Sequence, residues 1–127
     1  MYDLIIKGGG LSGTSAGRRA GKLGLNTLLL EKEEFPRYKP CGRGLSEHAI
    51  SYLYLESPPK ISEWEITEAK FFFKEQFIKA NKKHRLFVFI FRNEFDNFLL
   101  DKAKETEIEV HTKEKFFAAR KCPLMLK

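Results

Sequence analysis

The sequence predicts an α/β fold: a parallel βαβ unit at the N-terminus, followed by an antiparallel β insertion. Two apolar segments, residues 2–7 (YDLIIK) and 26–31 (NTLLLE), lie on either side of a stretch with small and apolar residues at helical spacing. Strands that are apolar throughout are typical of parallel strands covered on both faces. Residues 61–91 show partial alternation of Phe, Ile and Trp with polar residues, a pattern of antiparallel strands. The length of 127 residues corresponds to one domain.

The first predicted helix covers residues 12–23 and joins the two apolar strands. Ala16, Ala20 and Leu23 recur at helical spacing and predict its apolar face. Gly24 follows directly and is well placed as the C-terminal cap. A βαβ unit of about 30 residues results.

The remaining elements are predicted in chain order. Residues 46–56 favour a short helix capped by Ser46, which the SPP sequence at 57–59 ends. Residues 61–91 predict two or three strands. A second amphipathic helix covers 94–105, and 108–112 (IEVHT) predict a strand that returns to the parallel sheet. In that helix, Asn93 is the expected cap, and the apolar face consists of Phe95, Phe98, Leu99 and Ala103.

Composition narrows the class of protein. A hydrophobic content of 43% and a charged content of 31% are typical of a soluble globular chain. The net charge is +6, but basic and acidic residues are interspersed, so nucleic-acid binding is not predicted. Two cysteines, a start without a signal-peptide pattern and no apolar run of about 20 residues indicate a cytoplasmic protein without a transmembrane segment. No metal site is predicted.

The glycine motif GGGLSG at residues 8–13 carries the first functional prediction. Gly8, Gly10 and Gly13 have the spacing GxGxxG, which allows a tight turn, close approach of a pyrophosphate and close packing of the helix on the sheet. The N-terminus of the following helix offers free amide groups to the phosphates. Glu31 ends the next strand, where a carboxylate accepts hydrogen bonds from a ribose diol. This context predicts a dinucleotide-binding site of the Rossmann type; the alternative is a glycine turn without a ligand.

Three residues depart from that pattern. Gly17 and Gly21 lie within the predicted helix, on the same side as Gly13, where each either permits very close packing or weakens the helix by about 1 kcal/mol relative to alanine. Lys7 occupies the last strand position, where an apolar residue is expected. It either needs a partner or reaches solvent at the end of the strand, and a tolerated but destabilising replacement is the expected explanation.

The segment YDLIIKGGGLSGTSAGRRAGKLGLNTLLLEKEEFPRYKPCGRGLS (2–46) resembles the N-terminus of the geranylgeranyl reductase family. The family's loop FPRYKPCGGGLS is matched from Phe35 to Ser46, except at Arg43. The segment RNEFDNFLLDKAKE (92–105) is similar to the family's Arg-x-x-Phe-Asp-x-x-Leu helix. The resemblance implies a partial FAD- or NAD(P)-binding domain of the Rossmann type. It also implies an oxidoreductase that uses reduced FAD to saturate isoprenoid double bonds.

The resemblance also assigns the site residues. The glycine turn and Ser12 would hold the FAD pyrophosphate, the strand end the adenosine ribose, and the Cys-Gly loop would lie on the flavin side. The positions assigned to the cofactor are Gly8, Gly10, Ser12, Gly13, Glu31, Lys32, Gly42, Arg43, Gly44 and Arg92. Cys41 is the candidate catalytic residue. Its thiol either takes part in chemistry or is an inert, small packing residue beside the cofactor.

The chain departs from the family in length, because family members run to two or three domain lengths. It has no Gly-Asp pair, which is the family's second flavin motif, and no glycine follows Gly44. We therefore expect one truncated domain, made of residues 1–46, 47–91, 92–112 and a divergent tail at 113–127. Three hypotheses stay open: the FAD-binding part of a reductase, incomplete as a catalyst alone; a stand-alone nucleotide-binding module; and an inactive remnant. The expected partners are an isoprenoid or lipid substrate, a second chain or copy, and a membrane surface in peripheral contact.

Overall fold

The computed structural model describes residues 1–53, 55, 62–81 and 84–117. The elements in chain order are β1 (Leu4–Lys7), α1 (Leu11–Lys22), β2 (Thr27–Leu30), β3 (Gly44–Ser46), α2 (Glu47–Ser51), β4 (Ser62–Ile66), β5 (Glu68–Phe73), β6 (Gln76–Asn81), β7 (Phe87–Ile90), α3 (Arg92–Lys104) and β8 (Glu109–His111). The described residues form two compact units, one of 1–35 with 100–117 and one of 36–99.

The first unit contains a parallel sheet in the order β1-β2-β8. Its pairing places Ile5 opposite Leu28 and Leu28 opposite Glu109, so β2 is the central strand. The prediction of a βαβ unit and of a returning parallel strand is therefore confirmed. The core of this unit consists of Leu29, Leu100, Ala103 and Ile108, with Ile6, Phe35 and Val110 packed around it.

The face that α1 buries agrees with the predicted one only at Ala20. Thr14, Gly17 and Ala20 are buried, whereas Ala16 and Leu23 are exposed. The hydrophobicity of the side chains therefore does not determine which face of α1 is buried. Gly17 and Ala20 have small side chains because the helix backbone lies close to the residues beneath it.

Two glycines within α1 show how close that approach is. A Cβ atom added at Gly21 would lie 2.5 Å from the carbonyl oxygen of Thr106. One added at Gly17 would lie 2.8 Å from the Cδ1 atom of Ile108, the end of a side chain. Of the two explanations given above for these glycines, the structure supports very close packing. Gly24 follows α1 with φ +74°, as predicted for a C-terminal cap.

The second unit contains an antiparallel sheet in the order β3-β7-β4 and a separate hairpin of β5 and β6. The prediction of two or three strands between residues 61 and 91 is too low, since the described residues there form four. Strand β3 was not predicted at all. Its glycine and serine do not favour a strand, and it forms because Gly44–Ser46 pair with Phe87–Phe89 of β7.

Both helices of the second unit begin close to where the sequence places them. The Ser46 hydroxyl accepts a hydrogen bond from the Ala49 amide at 3.1 Å, so the predicted cap of α2 is confirmed. The predicted cap of α3 is wrong, because Asn93 lies inside the helix, which already begins at Arg92. Phe95 and Leu99 are buried as predicted.

The remaining predictions concern Lys7 and residues outside the part of the chain that the structure describes. The Lys7 side chain is exposed at the end of β1, with its Nζ atom 5.7 Å from the centre of the Phe116 ring. The SPP segment, Cys122 and residues 118–127 lie outside the described residues. Within the described residues, no helix has the length and hydropathy needed to cross a membrane.

Candidate functional site

The glycine turn between β1 and α1 has the backbone geometry that a nucleotide-binding turn requires. Gly8 has φ +99°, a conformation that glycine adopts without strain. Its amide donates to the Leu30 carbonyl oxygen at 2.8 Å, which ties the turn to β2. A Cβ atom at Gly13 would lie 1.8 Å from the Gly8 carbonyl oxygen, so no other residue fits there. The motif therefore requires glycine at Gly8 for its backbone conformation and at Gly13 because a side chain there would collide with the backbone.

The N-terminus of α1 is open to an anion. Gly10 is the N-cap residue, and no side chain caps the helix at this end. The first turn holds no acidic residue, and Ser12 within it is exposed. The Thr14 hydroxyl donates to the Gly10 carbonyl oxygen at 2.9 Å, within the first turn. Such an end combines free amide donors with the positive end of the helix dipole.

Glu31 lies beside this turn and is buried, with 5% of its surface exposed. Its Oε2 atom accepts a hydrogen bond from the Gly9 amide at 2.7 Å, and its Oε1 atom accepts one from the Glu33 amide at 2.9 Å. Two backbone donors hold the carboxylate in place. The carboxylate is thus an oriented acceptor directly after β2, which is the chemistry that a contact with ribose hydroxyl groups requires.

Lys32 follows Glu31 but is directed elsewhere. Its ammonium group is exposed and lies 3.3 Å from the Glu33 carboxylate. The structure thus gives Lys32 a partner on its own chain. Its assignment to the cofactor stays a prediction.

The Cys-Gly loop lies in the second unit, where Cys41 is exposed. The backbone amide of Arg43 lowers the pKa of the Cys41 thiol, and a hydrogen bond from the Arg92 side chain and the charge of that side chain lower it further. Each of these donors stabilises the thiolate over the thiol. The structure therefore brings together three of the predicted residues, Cys41, Arg43 and Arg92.

The Arg92 guanidinium is held by Asp96, which is fully buried. Its Nε atom donates to Oδ1 at 2.8 Å and its Nη2 atom donates to Oδ2 at 3.1 Å. This hydrogen bonding is the main reason that the pKa of Arg92 is raised. A second guanidinium, that of Arg37, lies 3.5 Å from the same carboxylate. Asp96 and Arg37 were not among the predicted site residues. The spacing of Arg92 and Asp96, one helical turn apart, is the pattern that indicates the pair.

Arg43 stands where the family loop has a glycine, and the structure shows the reason for that glycine. Arg43 has φ +60°, in the left-handed region. Its guanidinium lies 5.1 Å from the centre of the Phe91 ring and 3.8 Å from the Glu63 carboxylate. Gly42 and Gly44, on either side, are exposed.

Comparison of the sequence with known proteins found relatives of much greater length. No family model matches the chain. An uncharacterized protein of Methanosarcina barkeri is 30% identical over 105 residues, which are 83% of this chain and 27% of that protein. A digeranylgeranylglycerophospholipid reductase of Thermoplasma acidophilum is 43% identical over 51 residues, which are 39% of this chain and 13% of that enzyme. The chain therefore spans about a quarter or less of the length of these relatives.

Solved structures share the fold. A geranylgeranyl bacteriochlorophyll reductase-like protein of Thermoplasma acidophilum superposes with a TM-score of 0.80 and 27% identity, over 88% of this chain and 30% of that one. Halogenase PltM in complex with phloroglucinol and FAD has a TM-score of 0.73 at 20% identity, over 96% of this chain and 30% of that one. The α/β fold and the resemblance to geranylgeranyl reductases are both confirmed.

Proposed function

We propose that this chain, which is similar to geranylgeranyl reductase-like FAD oxidoreductases over part of their length, binds the adenosine diphosphate part of FAD at the turn between β1 and α1. Its role is that of the nucleotide-binding part of a flavoprotein that reduces isoprenoid carbon–carbon double bonds. The observation that carries the proposal is the pairing of the glycine turn with the buried carboxylate of Glu31.

The residues present fit such a group. The Gly8 conformation and the contact of Gly13 with the Gly8 carbonyl oxygen keep side chains out of the turn, which leaves room for a pyrophosphate. The uncapped amides of α1 are donors, as phosphate oxygens require. The Glu31 carboxylate is an acceptor, as ribose hydroxyl groups require, and it is already oriented by the Gly9 and Glu33 amides. Donors and acceptors thus match the two chemical parts of the ligand.

The reduction needs a hydride and a proton, and a reduced flavin supplies the hydride. The proton must come from an acid, and Cys41 is this chain's candidate. The Arg43 amide and the Arg92 guanidinium lower the thiol pKa, so less energy is needed to release its proton. Asp96 orients Arg92 for that contact through two hydrogen bonds. Cys41 is thus a proposed proton donor, and Arg92 and Asp96 are positioning residues.

The first test is a titration of the purified chain with FAD, ADP and FMN by calorimetry. We expect FAD and ADP to bind and to compete with each other, and FMN not to compete, because the recognised part is adenosine diphosphate. Replacement of Glu31→Gln should weaken FAD binding by about tenfold, since it turns an acceptor into a group with a donor. The matched control is Glu34→Gln, an exposed residue that pairs with the exposed Lys113 and should bind as the wild type does.

Folding must be checked for each variant by circular dichroism and thermal melting. A folded wild-type chain that binds neither FAD nor ADP contradicts the proposal. Binding of FMN in place of ADP would also contradict it, because it would locate recognition at the flavin.

The reductase activity is tested separately, with the chain, dithionite-reduced FAD and a geranylgeranyl lipid, by mass spectrometry of the product. Cys41→Ser should leave the affinity for FAD unchanged and lower whatever turnover the chain supports.

A further inference from the structure

The hairpin formed by β5 and β6 exposes a continuous apolar surface. Five side chains at its closed end, here called the hairpin tip, have between 58% and 74% of their surface exposed. They are Phe71, Phe72, Phe73, Phe77 and Ile78. Exposed apolar patches of this kind mark sites of interaction with another apolar surface.

The apolar side chains lie on both faces of the hairpin. Phe72 is paired with Phe77, and their ring centres are 5.7 Å apart. Phe71 is paired with Ile78, one residue further along, and therefore points to the opposite face. A protein partner typically covers one face of a hairpin. Immersion in an apolar medium covers both.

Two lysines lie directly behind the tip. Lys70 and Lys79 are cross-strand partners, two residues from Phe72 and Phe77, so they share the face of that aromatic pair. At the rise of a strand they lie roughly 7 Å further from the closed end. Like charges opposite each other are unfavourable unless an anion lies near. The carboxylate of Glu68 lies 2.8 Å from Lys79 and offsets one of the two charges.

We propose that the hairpin tip is a peripheral membrane contact that inserts into the interfacial layer of an anionic lipid surface. Apolar insertion of roughly 5–10 Å matches the distance from the aromatic tip to the lysine pair, which would then lie at the level of the lipid phosphates. In the turn, the Nζ atom of Lys74 lies 5.7 Å from the centre of the Phe73 ring, so the aliphatic stem of this lysine adds to the apolar tip while its long side chain can reach back toward the headgroups. The net charge of +6 has the sign that an anionic surface attracts. The proposal does not depend on FAD binding.

The test is flotation of the full chain with lipid vesicles, without nucleotide. We expect it to bind vesicles of phosphatidylcholine with phosphatidylglycerol, and to bind pure phosphatidylcholine vesicles much more weakly. Phe73→Ser should weaken binding by about tenfold. The control is Phe117→Ser, an exposed aromatic residue outside the hairpin, which should bind as the wild type does.

The charge contribution is tested with matched double variants. K70Q with K79Q should remove most of the preference for phosphatidylglycerol. K113Q with K115Q, which changes the net charge equally at exposed lysines elsewhere, should remove little of it. Equal losses in the two double variants would overturn the lysine contact, because only the net charge would then matter.

A spectroscopic measurement keeps the proposal testable if a serine variant unfolds. In a Trp64→Phe background, Phe73→Trp places the chain's one tryptophan at the tip. Its emission should shift to shorter wavelength with anionic vesicles and be quenched by brominated lipid. No shift would overturn the proposal. So would sedimentation data in which the wild type is a dimer that Phe73→Ser dissociates while neither binds vesicles, because the tip would then join two copies.

Discussion

Arg43 shows how a single backbone angle explains a residue preference of the family loop. A side chain in the left-handed region costs about 1 kcal/mol relative to glycine, because its Cβ atom crowds the following carbonyl oxygen. We predict that Arg43→Gly is more stable than Arg43→Ala by about 1 kcal/mol. Both variants lose the contacts with Phe91 and Glu63, so the difference isolates the backbone. Urea denaturation measures it, and equal stabilities would contradict the strain.

Cys41 gives a second prediction at the scale of one residue. In a Cys122→Ser background, the rate of alkylation by iodoacetamide should reach half of its maximum at a lower pH in the folded chain than in urea, because the thiol pKa is lowered on folding. Arg92→Gln should move that midpoint upward. Arg43→Gly keeps the backbone amide and should leave the midpoint unchanged. A midpoint that Arg92→Gln does not move would contradict the contact.

At the scale of the element, the packing of α1 predicts different outcomes for two similar substitutions. Gly21→Ala should destabilise the chain by about 2 kcal/mol, because the new methyl group meets the rigid Thr106 backbone and overpacks the contact. Gly17→Ala meets the flexible end of Ile108, and the gain in helix propensity of about 1 kcal/mol offsets the crowding. Thermal melting of both variants tests the prediction. Gly17→Ala serves as the control, and a loss equal to that of Gly21→Ala would contradict it.

His111 of strand β8 makes a contribution to the stability of the fold that depends on pH. The Glu114 carboxylate, followed by that of Glu109, raises the pKa of His111. A raised pKa means that this contribution is fully present below the ordinary histidine value of 6.5 and is lost as the pH rises through the folded value. His111→Gln should therefore lower stability near about pH 5 and leave it unchanged near about pH 9. Urea titrations at both pH values measure it; an equal loss at both would show that the ion pairs are not the cause.

The elements with strong local patterns were predictable from the sequence. The βαβ unit, the Ser46 cap and the returning strand β8 follow from apolar segments, capping chemistry and periodicity. The buried face of α1 could not be predicted from the sequence. It is determined by the limited space beneath Gly17 and Gly21, whereas the periodicity of the sequence reports only where apolar residues lie. Strand β3 did not follow either, since it forms only because β7 is present to pair with it.

Some features of the candidate site could likewise be predicted from the sequence, and others could not. The glycine spacing and the carboxylate at the end of β2 could be predicted, because both are local to one βαβ unit. The contact of Arg37 with Asp96 could not, because it joins residues 59 positions apart in sequence. The hydrogen bonds of Glu31 with Gly9 and Glu33 were also missed, since they depend on side-chain direction.

For the whole molecule, the net positive charge opposes association between copies, whereas the exposed apolar surface favours it. The chain has a net charge of +6 and a pI near 9.3, so repulsion between molecules falls as the pH rises toward about 9. We predict that light scattering at fixed concentration increases over that range. Phe73→Ser should reduce the increase, because association requires apolar contact. Scattering that is independent of pH would show that charge does not hold the molecules apart.

The backbone hydrogen bonds of Glu31 with His111 of β8 and with Glu114 beyond it have a consequence for the order in which the chain acquires its structure. The Glu31 amide donates to the His111 carbonyl oxygen at 2.8 Å, and the Glu114 amide donates to the Glu31 carbonyl oxygen at 3.0 Å. During synthesis the glycine turn leaves the ribosome about 100 residues before these partners, so both backbone hydrogen bonds form only after nearly all of the described chain has emerged. Nucleotide added to a translating ribosome should therefore bind more weakly before this point, and arrested nascent chains should gain their full protease resistance only once β8 is outside the exit tunnel.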